Sequence, residues 1–488
     1  MTPAKSPPMG FRRPDSGPAR PIDPLDGLVG QAAALVEGEV SARELTERSL
    51  GRIEATQPTL NAFRVVCAEQ ALAEADEADR RLAAGERAPL LGVPVAIKDD
   101  VDFAGHATPF GCAGEHPLAE RDAEPVRRLR EAGAIVVGKT NAPEVGQWHF
   151  SETEVFGVTR NPWHQEHTPG GSSGGAAAAV AAGIVAGAMG SDGAGSIRIP
   201  AAWTNLVGLK PQRGRVSTWP DAEAFNGLSC YGPLARDVAD TALLLDVLAG
   251  NVPADRHHVA PPSEPFATTA ARPPERLRIA LSFATPVGAS GKVDPEHRAA
   301  IEALAASLAE LGHEVEQRDP DYGLVGAALI PRGMSAVDAW LSEREIDRAG
   351  LEPRTRVHAR MGRLLSGFPA SAARAGELPL RRRMGAIFDD IDLVLTPTTA
   401  LPPPRIDHFK GRGYWATSTA ASATCPFAWP WNVVGWPAIS VPAGFTAAGL
   451  PIGAQLVAPA ESEALLLSLA AQLEQGQRWH EQHPPHAA

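Results

Sequence analysis

Short apolar runs alternate along the chain with longer stretches in which apolar residues recur every three or four positions. The runs Val93–Ile97 and Ile135–Val137 are too short for helices and predict buried strands. Helix patterns flank them, one over Cys67–Ala84, stopped by Gly85, and one over Ala176–Ala182, whose alanines are strong helix formers. This alternation of strands and helices is typical of an α/β layered fold.

The first predicted helix is marked by residues at both of its ends. Ser41 and Glu44 have the spacing of a capping box, in which each side chain bonds to the backbone N–H of the other residue. Since a proline lacks a backbone N–H, this helix is predicted to end before Pro58. In the second half, strands are predicted at Leu277–Leu281, His313–Glu316, Ile391–Thr396, Ala438–Val441 and Ile452–Val457, and helices at Pro295–Leu311, within 320–390 and at Ser462–Leu473.

Composition places the chain among soluble globular proteins. Of its 488 residues, 44% are hydrophobic and 21% are charged. The 57 acidic residues outnumber the 45 Lys and Arg residues, which gives a net charge of −12 and no reason to expect a basic surface for nucleic acid. No apolar run approaches the ~20 residues of a membrane span, so no membrane association is expected.

The chain ends and the cysteines add two expectations. Residues 1–24 are rich in Pro, lack an apolar signal region and are predicted to be a disordered leader. The cysteines are far apart, with no C-x-x-C pair, which is typical of reduced thiols in a cytoplasmic protein. They are Cys67, Cys112, Cys230 and Cys425.

The most informative segment is Thr168–Pro211. It reads TPGGSSGG, then an alanine-rich run, then GSDGAGSIRIPAAW. Ser172, Ser173 and Ser196 lie among glycines, whose backbone can aim N–H groups at a bound molecule. A serine beside such donors indicates nucleophilic attack on a carbonyl group, which requires a general base.

Lys98, at the end of the first predicted strand, is the candidate base. Burial disfavours the charged form of a lysine and lowers its pKa from a reference value near ~10.4. The alternative is a structural ion pair with Asp99, Asp100 or Asp102, and this segment alone leaves both interpretations open.

Other interpretations of the glycines and histidines find less support. Residues 170–174 fit the G-x-S-x-G turn of another hydrolase fold, but the preceding NPWHQEHTP has two prolines and no apolar run for the strand that this turn needs. No phosphate-loop pattern occurs. The spacings His164-x-x-His167 and His257-His258 do not match a metal site, so no cofactor and no metal are expected.

Taken together, GVPVAIKDD, GGSSGG and GSDGAGSIRIP strongly resemble the amidase signature family. Further blocks in family order, among them AIVVGKTNAPEVG and GLKPQRGRVS, extend the resemblance over residues 28–475. It implies an α/β amidase-signature fold, with a large mixed central β-sheet covered by helices on both faces. It also implies a single amidase domain over 25–478, followed by a flexible tail over 479–488.

The resemblance implies a role for each residue of the two glycine-rich loops. Ser196 resembles the nucleophile, Ser172 the serine that follows a cis peptide bond, and Lys98 the base. The N–H groups that resemble the oxyanion hole belong to Gly193, Ala194, Gly195 and Ser196, and the supporting side chains are Ser173, Asp192 and Arg198.

One residue departs from the family pattern. Many members have a glycine where this chain has Ala194, and the alanine methyl group restricts positive φ angles. The loop is therefore expected to form with Ala194 in an ordinary conformation.

The substrate is predicted from aromatic content. The segment Gly413–Trp436 is unusually aromatic, and its rings either wall a cleft for apolar or aryl groups or pack in the core. The expected activity is hydrolysis of small apolar or aryl amides, with carbamates (urethanase activity) as a second substrate class, by a monomer or homodimer. The alternative is an amidotransferase-like component of a tRNA-dependent transamidation complex. The aromatic residues concerned are Tyr414, Trp415, Phe427, Trp429, Trp431 and Trp436, with Trp148 and Phe150 upstream.

Overall fold

A computed structural model describes residues 27–289 and 291–485, so the predicted leader lies outside the described residues. The described residues form an eleven-stranded sheet, a small two-stranded sheet and sixteen α-helices. The strands are β1 (Phe63–Val66), β2 (Pro94–Lys98), β3 (Ile135–Thr140), β4 (Glu152–Thr153), β5 (Gly157–Val158), β6 (Gly187–Asp192), β7 (Val207–Lys210), β8 (Cys230–Ala235), β9 (Arg278–Leu281), β10 (Glu314–Gln317), β11 (Leu393–Pro397), β12 (Ala438–Phe445) and β13 (Pro451–Val457).

The helices lie before, between and after these strands. They are α1 (Leu28–Glu37), α2 (Ala42–Leu60), α3 (Ala68–Ala83), α4 (Glu124–Glu131), α5 (Gly174–Ala181), α6 (Arg198–Trp203), α7 (Val238–Leu248), α8 (Phe266–Ala270), α9 (Pro295–Glu310), α10 (Val325–Glu343), α11 (Pro353–Leu365), α12 (Phe368–Ala375), α13 (Glu377–Gly385), α14 (Tyr414–Thr424), α15 (Pro430–Val434) and α16 (Glu463–Gln477).

The large sheet has the order β1-β3-β2-β6-β8-β7-β12-β13-β11-β9-β10. Strands β3, β2 and β6 run parallel, as do β11, β9 and β10, and the other neighbours are antiparallel. Every residue of β2, β3 and β6 is buried. Because successive strand side chains point to opposite faces, both faces are covered there. The predicted α/β fold class with a large mixed sheet is confirmed.

Helix α2 shows where local patterns succeed and where they fail. The predicted capping box is present, with the Ser41 side chain accepting from the Glu44 N–H and the Glu44 carboxylate accepting from the Ser41 N–H. The prediction that the helix ends before Pro58 is wrong, because α2 continues to Leu60. A proline in the last turn removes a single N–H, and the Asn61 N–H still donates to the Gln57 carbonyl to close the helix.

The end of the described chain packs against the main core. Residues Trp479–Glu481 form a short 3₁₀ helix, and Trp479 is buried in the main core at the point where the flexible tail was predicted to begin. The four cysteines are buried and free. Across residues 27–289 and 291–485, no helix combines the length and the apolar character needed to cross a membrane.

Candidate active site

Lys98 and the two glycine-rich loops meet at the carboxyl ends of two neighbouring interior strands of the large sheet. Strands β2 and β6 are parallel neighbours, so their carboxyl ends leave the sheet side by side. Lys98 is the last residue of β2, and β6 ends at Asp192, just before the loop that carries Ser196. Ser172 reaches the same point from the loop that precedes α5. The parallel register therefore brings together residues that are nearly a hundred positions apart.

The Lys98 amine is fully buried and has three polar partners. Its Nζ lies 2.7 Å from Ser172 Oγ, 2.7 Å from Ser191 Oγ and 3.3 Å from Asp100 Oδ2. Burial lowers the pKa of Lys98, and the opposing attraction of Asp100 and Asp192 does not cancel this effect. The geometry thus combines both interpretations of the sequence, since Lys98 Nζ lies within ion-pair distance of the Asp100 carboxylate and also contacts Ser172.

Ser173 joins the serine loop to its neighbours. The peptide bond between Gly171 and Ser172 is cis, and a Cβ at Gly171 would lie 2.6 Å from a backbone oxygen of the adjacent segment, so only glycine fits there. Ser173 Oγ donates to the Ser191 carbonyl at 3.1 Å and accepts from the Ser191 N–H at 3.2 Å. Its own N–H donates to the Ser196 carbonyl at 3.1 Å. Ser173 therefore connects the serine loop to β6 and to the Ser196 loop.

Asp192 and Arg198 brace the Ser196 loop from inside the protein. Both are fully buried, and Arg198 Nε and Nη2 each donate to the Asp192 carboxylate at 2.9 Å. The same carboxylate accepts from the N–H groups of Gly195, at 2.7 Å, and Ile197, at 3.2 Å. Burial alone would raise the pKa of Asp192, but the Arg198 guanidinium holds it well below its usual range. The loop is thus built around an ionised carboxylate.

These bonds divide the N–H groups that were predicted to form an oxyanion hole. The Gly195 N–H is already bonded to Asp192, so it is not available to a substrate oxygen. The N–H groups of Gly193, Ala194 and Ser196 have no hydrogen-bond partner within the described part of the chain. Gly195, with φ of 118°, takes the left-handed conformation, whereas Ala194 does not. Three of the four N–H groups in the predicted set are thus without a partner in the described residues.

Ser196 itself is nearly buried, at 9% exposure, while the neighbouring Ala194 is exposed to solvent. Among residues 27–289 and 291–485, no hydrogen bond involves the Ser196 hydroxyl, and none joins it to Ser172. The two loops instead meet through the backbone bond from Ser173 to Ser196. The Ser196 hydroxyl is therefore not committed to a structural role.

Ser191 is a residue of the site that the sequence analysis missed. Its Oγ accepts from Lys98 Nζ at 2.7 Å and makes a short hydrogen bond to Asp100 Oδ2. The available signal was its position at the end of β6, the strand that pairs in parallel with the strand of Lys98. Ser191 completes the polar surroundings of the buried amine.

Asn432 in α15 is the second missed residue. Its Nδ2 donates to the Asp192 backbone carbonyl at 2.8 Å and to the Asp192 carboxylate at 2.9 Å. Its Oδ1 accepts from Arg198 Nη2 at 2.7 Å, while Gln455 accepts from Arg198 Nη1 at 2.6 Å. No sequence pattern connects residues this far apart, so only the folded chain reveals them.

The aromatic residues of the cleft prediction have different surroundings. Tyr414 lies 6.0 Å from Trp148 between ring centroids, and Trp148 stacks on Phe150 at 6.0 Å. These three rings form one cluster beside the serine loop, since the Trp148 carbonyl is the oxygen that closely approaches Gly171. All three rings of this cluster are buried. Trp415 is exposed. Trp431 and Trp436 belong to a separate buried cluster, against which Trp429 packs half-buried, and Phe427 is buried as well.

Known proteins share both the sequence and this architecture. Residues 44–467 match the amidase family. The chain is 53% identical over 447 residues to "Putative amidase AmiA2" of Mycobacterium tuberculosis, covering 91% of this chain and 92% of that protein. A 6-aminohexanoate cyclic dimer hydrolase, solved with its substrate, superposes with a TM-score of 0.88 at 32% identity over 96% of this chain and 100% of its own. A bacterial aryl acylamidase superposes with a TM-score of 0.83 at 28% identity over 93% and 97% of the two chains.

The fold and these relationships define a hydrolase of amides. The chain belongs to the amidase family, also called the amidase signature family, as the sequence resemblance predicted.

Proposed function

We propose that the protein hydrolyses amides through an acyl-enzyme formed on Ser196. The observation that carries this proposal is the buried 2.7 Å contact between Lys98 Nζ and Ser172 Oγ, on a loop that Ser173 bonds to Ser196. A buried amine loses its proton more readily than an exposed one, and a serine hydroxyl becomes a good nucleophile when a base removes its proton. In the proposal, Lys98 acts as the base, Ser172 as the relay and Ser196 as the nucleophile.

The reaction follows from these roles. Neutral Lys98 accepts the proton of Ser172, which accepts the proton of Ser196 as Ser196 Oγ bonds to the carbonyl carbon. The carbonyl oxygen becomes an anion, and the unpaired N–H groups of Gly193, Ala194 and Ser196 are the donors proposed to stabilise it. As the C–N bond breaks, the relay returns a proton to the leaving amine. Water then attacks the acyl ester by the same route and releases the acid.

We infer that the substrates are small apolar or aryl amides. The cluster of Trp148, Phe150 and Tyr414 lies beside the serine loop, where rings suit apolar and aryl groups. Trp148 Nε1 is buried without a hydrogen-bond partner in the described part of the chain, and we propose it as the donor to a polar atom of the substrate. The structural similarity to a cyclic dimer hydrolase and to an aryl acylamidase supports this class.

Carbamates are the second substrate class of the proposal. A carbamate presents the same carbonyl carbon to Ser196, and its hydrolysis releases an alcohol, carbon dioxide and an amine. The relay of Lys98 and Ser172 deprotonates the nucleophile and then protonates the leaving group, and both steps are needed for an amide and for a carbamate, so these contacts suit both classes. The choice between amide and carbamate therefore depends on the walls of the cleft.

A side-by-side assay tests the proposal. The purified protein is given a p-nitroanilide, an aliphatic carboxamide and an aryl carbamate at equal concentrations, with the Ser196→Ala variant as control. We expect hydrolysis of the anilide to be fastest and the variant to be inactive. If the folded wild-type protein cleaves none of the three series, the proposal is wrong.

The amidotransferase alternative makes a different prediction. One component of a transamidation complex would co-purify with its partner protein from its own host and would release ammonia from glutamine. Affinity purification from the source organism, followed by a glutaminase assay, separates the two functions. A stable partner together with activity on glutamine alone would favour the alternative.

A further inference from the structure

Three polar atoms surround the Lys98 amine, which is the number of positions on a lysine nitrogen that are not bonded to carbon. Ser172 Oγ and Ser191 Oγ each lie at 2.7 Å, and Asp100 Oδ2 lies at 3.3 Å. The proposed reaction uses Ser172 alone. The roles of Ser191 and Asp100 are therefore still to be explained.

The number of hydrogens on each group fixes the direction of each contact. Ser191 Oγ donates its single hydrogen to Asp100, so towards Lys98 it can act only as an acceptor. An ionised Asp100 has no hydrogen and also acts only as an acceptor. A neutral lysine amine has two N–H groups and one lone pair. With both N–H groups directed to Ser191 and Asp100, the lone pair is left facing Ser172.

We propose that Asp100, acting through Lys98 and with Ser191, is a positioning residue that turns the lone pair of the neutral amine towards Ser172. This inference rests on the proposed function of Lys98 as the base. The arrangement follows the logic of other serine hydrolases, in which a third group orients the base that activates the nucleophile.

Asp100 also faces the charge that the reaction creates. When the O–H bond of Ser172 breaks and an N–H bond forms on Lys98, the amine becomes an ammonium ion 3.3 Å from the Asp100 carboxylate. Asp100 Oδ1 is buried and has no hydrogen-bond partner among the described residues, so little else offsets its charge. An opposite charge at this distance favours the protonated amine.

The other charged groups around the amine are neutralised by their own partners. On the loop after β2, Asp99 pairs with Arg64 and Lys139. At the end of β6, Asp192 pairs with Arg198. The Phe110 ring, 5.4 Å from Lys98 Nζ, is uncharged, and burial raises the pKa of the Tyr231 phenol of β8 well above its usual value, so this phenol is neutral at neutral pH. Asp100 is therefore the carboxylate that most directly sets the charge state of Lys98.

The experiment compares Asp100→Asn with Asp102→Asn. Asparagine keeps the shape of aspartate and an acceptor oxygen but removes the charge. Asp102 lies on the same loop, and within the described residues no hydrogen bond or ion pair joins it to Lys98. The rate of Ser196 labelling by a fluorophosphonate is measured from pH 5 to pH 10, because this readout does not depend on knowing the substrate.

We expect the acidic limb of the Asp100→Asn profile, where the labelling rate falls as Lys98 is protonated, to shift to a pH lower by about one unit or more. The reason is that the Lys98 ammonium ion loses its counter-charge, which lowers its pKa. The plateau of this profile should fall about tenfold or more, because the lone pair is no longer held in place. Asp102→Asn should keep both the limb and the plateau of the wild type. An Asp100→Asn profile that matches the wild type would overturn the inference.

Failure of the variant to fold and failure of the wild-type protein to be labelled lead to different conclusions. If circular dichroism shows that Asp100→Asn does not fold, Ser191→Ala tests the inference in its place. This variant removes one acceptor of the Lys98 amine, so it should lower the plateau of the labelling rate and shift the acidic limb less than Asp100→Asn. A plateau equal to that of the wild type would overturn the inference. If the wild-type protein is not labelled at all, the proposed function fails together with this inference. Labelling of the wild type with an unchanged variant profile overturns this inference alone.

Discussion

The side-chain amide of Asn432 donates to both the backbone carbonyl and the carboxylate of Asp192, which lies 240 residues earlier in the chain. The same side chain accepts from Arg198, the ion-pair partner of Asp192. Asn432 is itself buried, so α15 supplies part of the inner support of the Ser196 loop. A residue of a distant helix thereby holds the loop that presents the proposed nucleophile and oxyanion donors.

We predict that Asn432→Ala reduces both activity and stability. Each buried group of Asp192 and Arg198 that loses its partner costs about 2 kcal/mol, and misplacement of the loop should lower kcat/KM roughly tenfold or more. Thermal unfolding and steady-state kinetics measure the two effects. Asn205→Ala is the matched control, since buried Asn205 bonds to the Trp479 carbonyl and not to the site. Equal loss of activity in both variants would contradict the prediction.

Ser196→Ala should abolish turnover and labelling by a fluorophosphonate, because the proposed nucleophilic oxygen is removed. The expected loss of kcat is roughly 10⁴-fold or more. Mass spectrometry of the labelled protein checks the result. Ser440→Ala, which changes a buried serine bonded to Thr398, should still be labelled. Retained labelling of Ser196→Ala would point to another nucleophile.

The rate of hydrolysis should rise with pH through the pKa of Lys98. Burial lowers this pKa below the usual lysine value of 10.5, so the proposed base gains its neutral form at a lower pH than an exposed lysine would. An alkaline optimum is therefore expected, with activity lost as the pH falls and Lys98 is protonated. Lys98→Met should lower kcat by about 10²- to 10⁴-fold, and its residual rate should lack this acidic limb. An unchanged limb in that variant would assign the titration to another group.

Trp148→Ala should change substrate preference more than it changes the chemistry. Loss of the ring should raise KM for an aryl amide roughly tenfold or more, with a smaller effect on a short aliphatic amide. Parallel kinetics on the two substrates measure the difference. Trp415→Ala is the control because Trp415 is 64% exposed. Identical losses on both substrates would remove Trp148 from the proposed substrate site.

Glu144→Gln should stabilise the protein more at pH 8 than at pH 5. Burial raises the pKa of Glu144 to about 7 from its usual 4.5, so its ionisation is disfavoured in the folded state. The stability that the protonated carboxyl provides is fully present below about pH 4.5 and is lost as the pH rises through 7, whereas glutamine stays neutral. The effect reaches about 3 kcal/mol at most, and thermal unfolding at both pH values measures it. Equal shifts at both pH values would show that Glu144 does not titrate in this range.

Local patterns in the sequence determined individual secondary-structure elements and the fold class of this protein. The apolar run before Lys98 predicts β2, and the Ser41 and Glu44 pair predicts the start of α2, because each depends on contacts within a few residues. The glycine-rich loops and their family resemblance predicted the fold class and singled out the serines whose roles are proposed here. These features are encoded in short segments, so their prediction does not require knowledge of contacts with distant parts of the chain.

Only the tertiary structure decided which groups are free to act. Ser191 and Asp100 contact Lys98 because β2 and β6 pair in parallel. The Gly195 N–H, one of the predicted oxyanion donors, instead donates to the buried Asp192 carboxylate. The division of the aromatic rings between two buried clusters, and the support from Asn432, likewise depend on packing between distant segments. Hydrogen-bond partners and burial are properties of the assembled fold, so residue type and spacing alone cannot assign them.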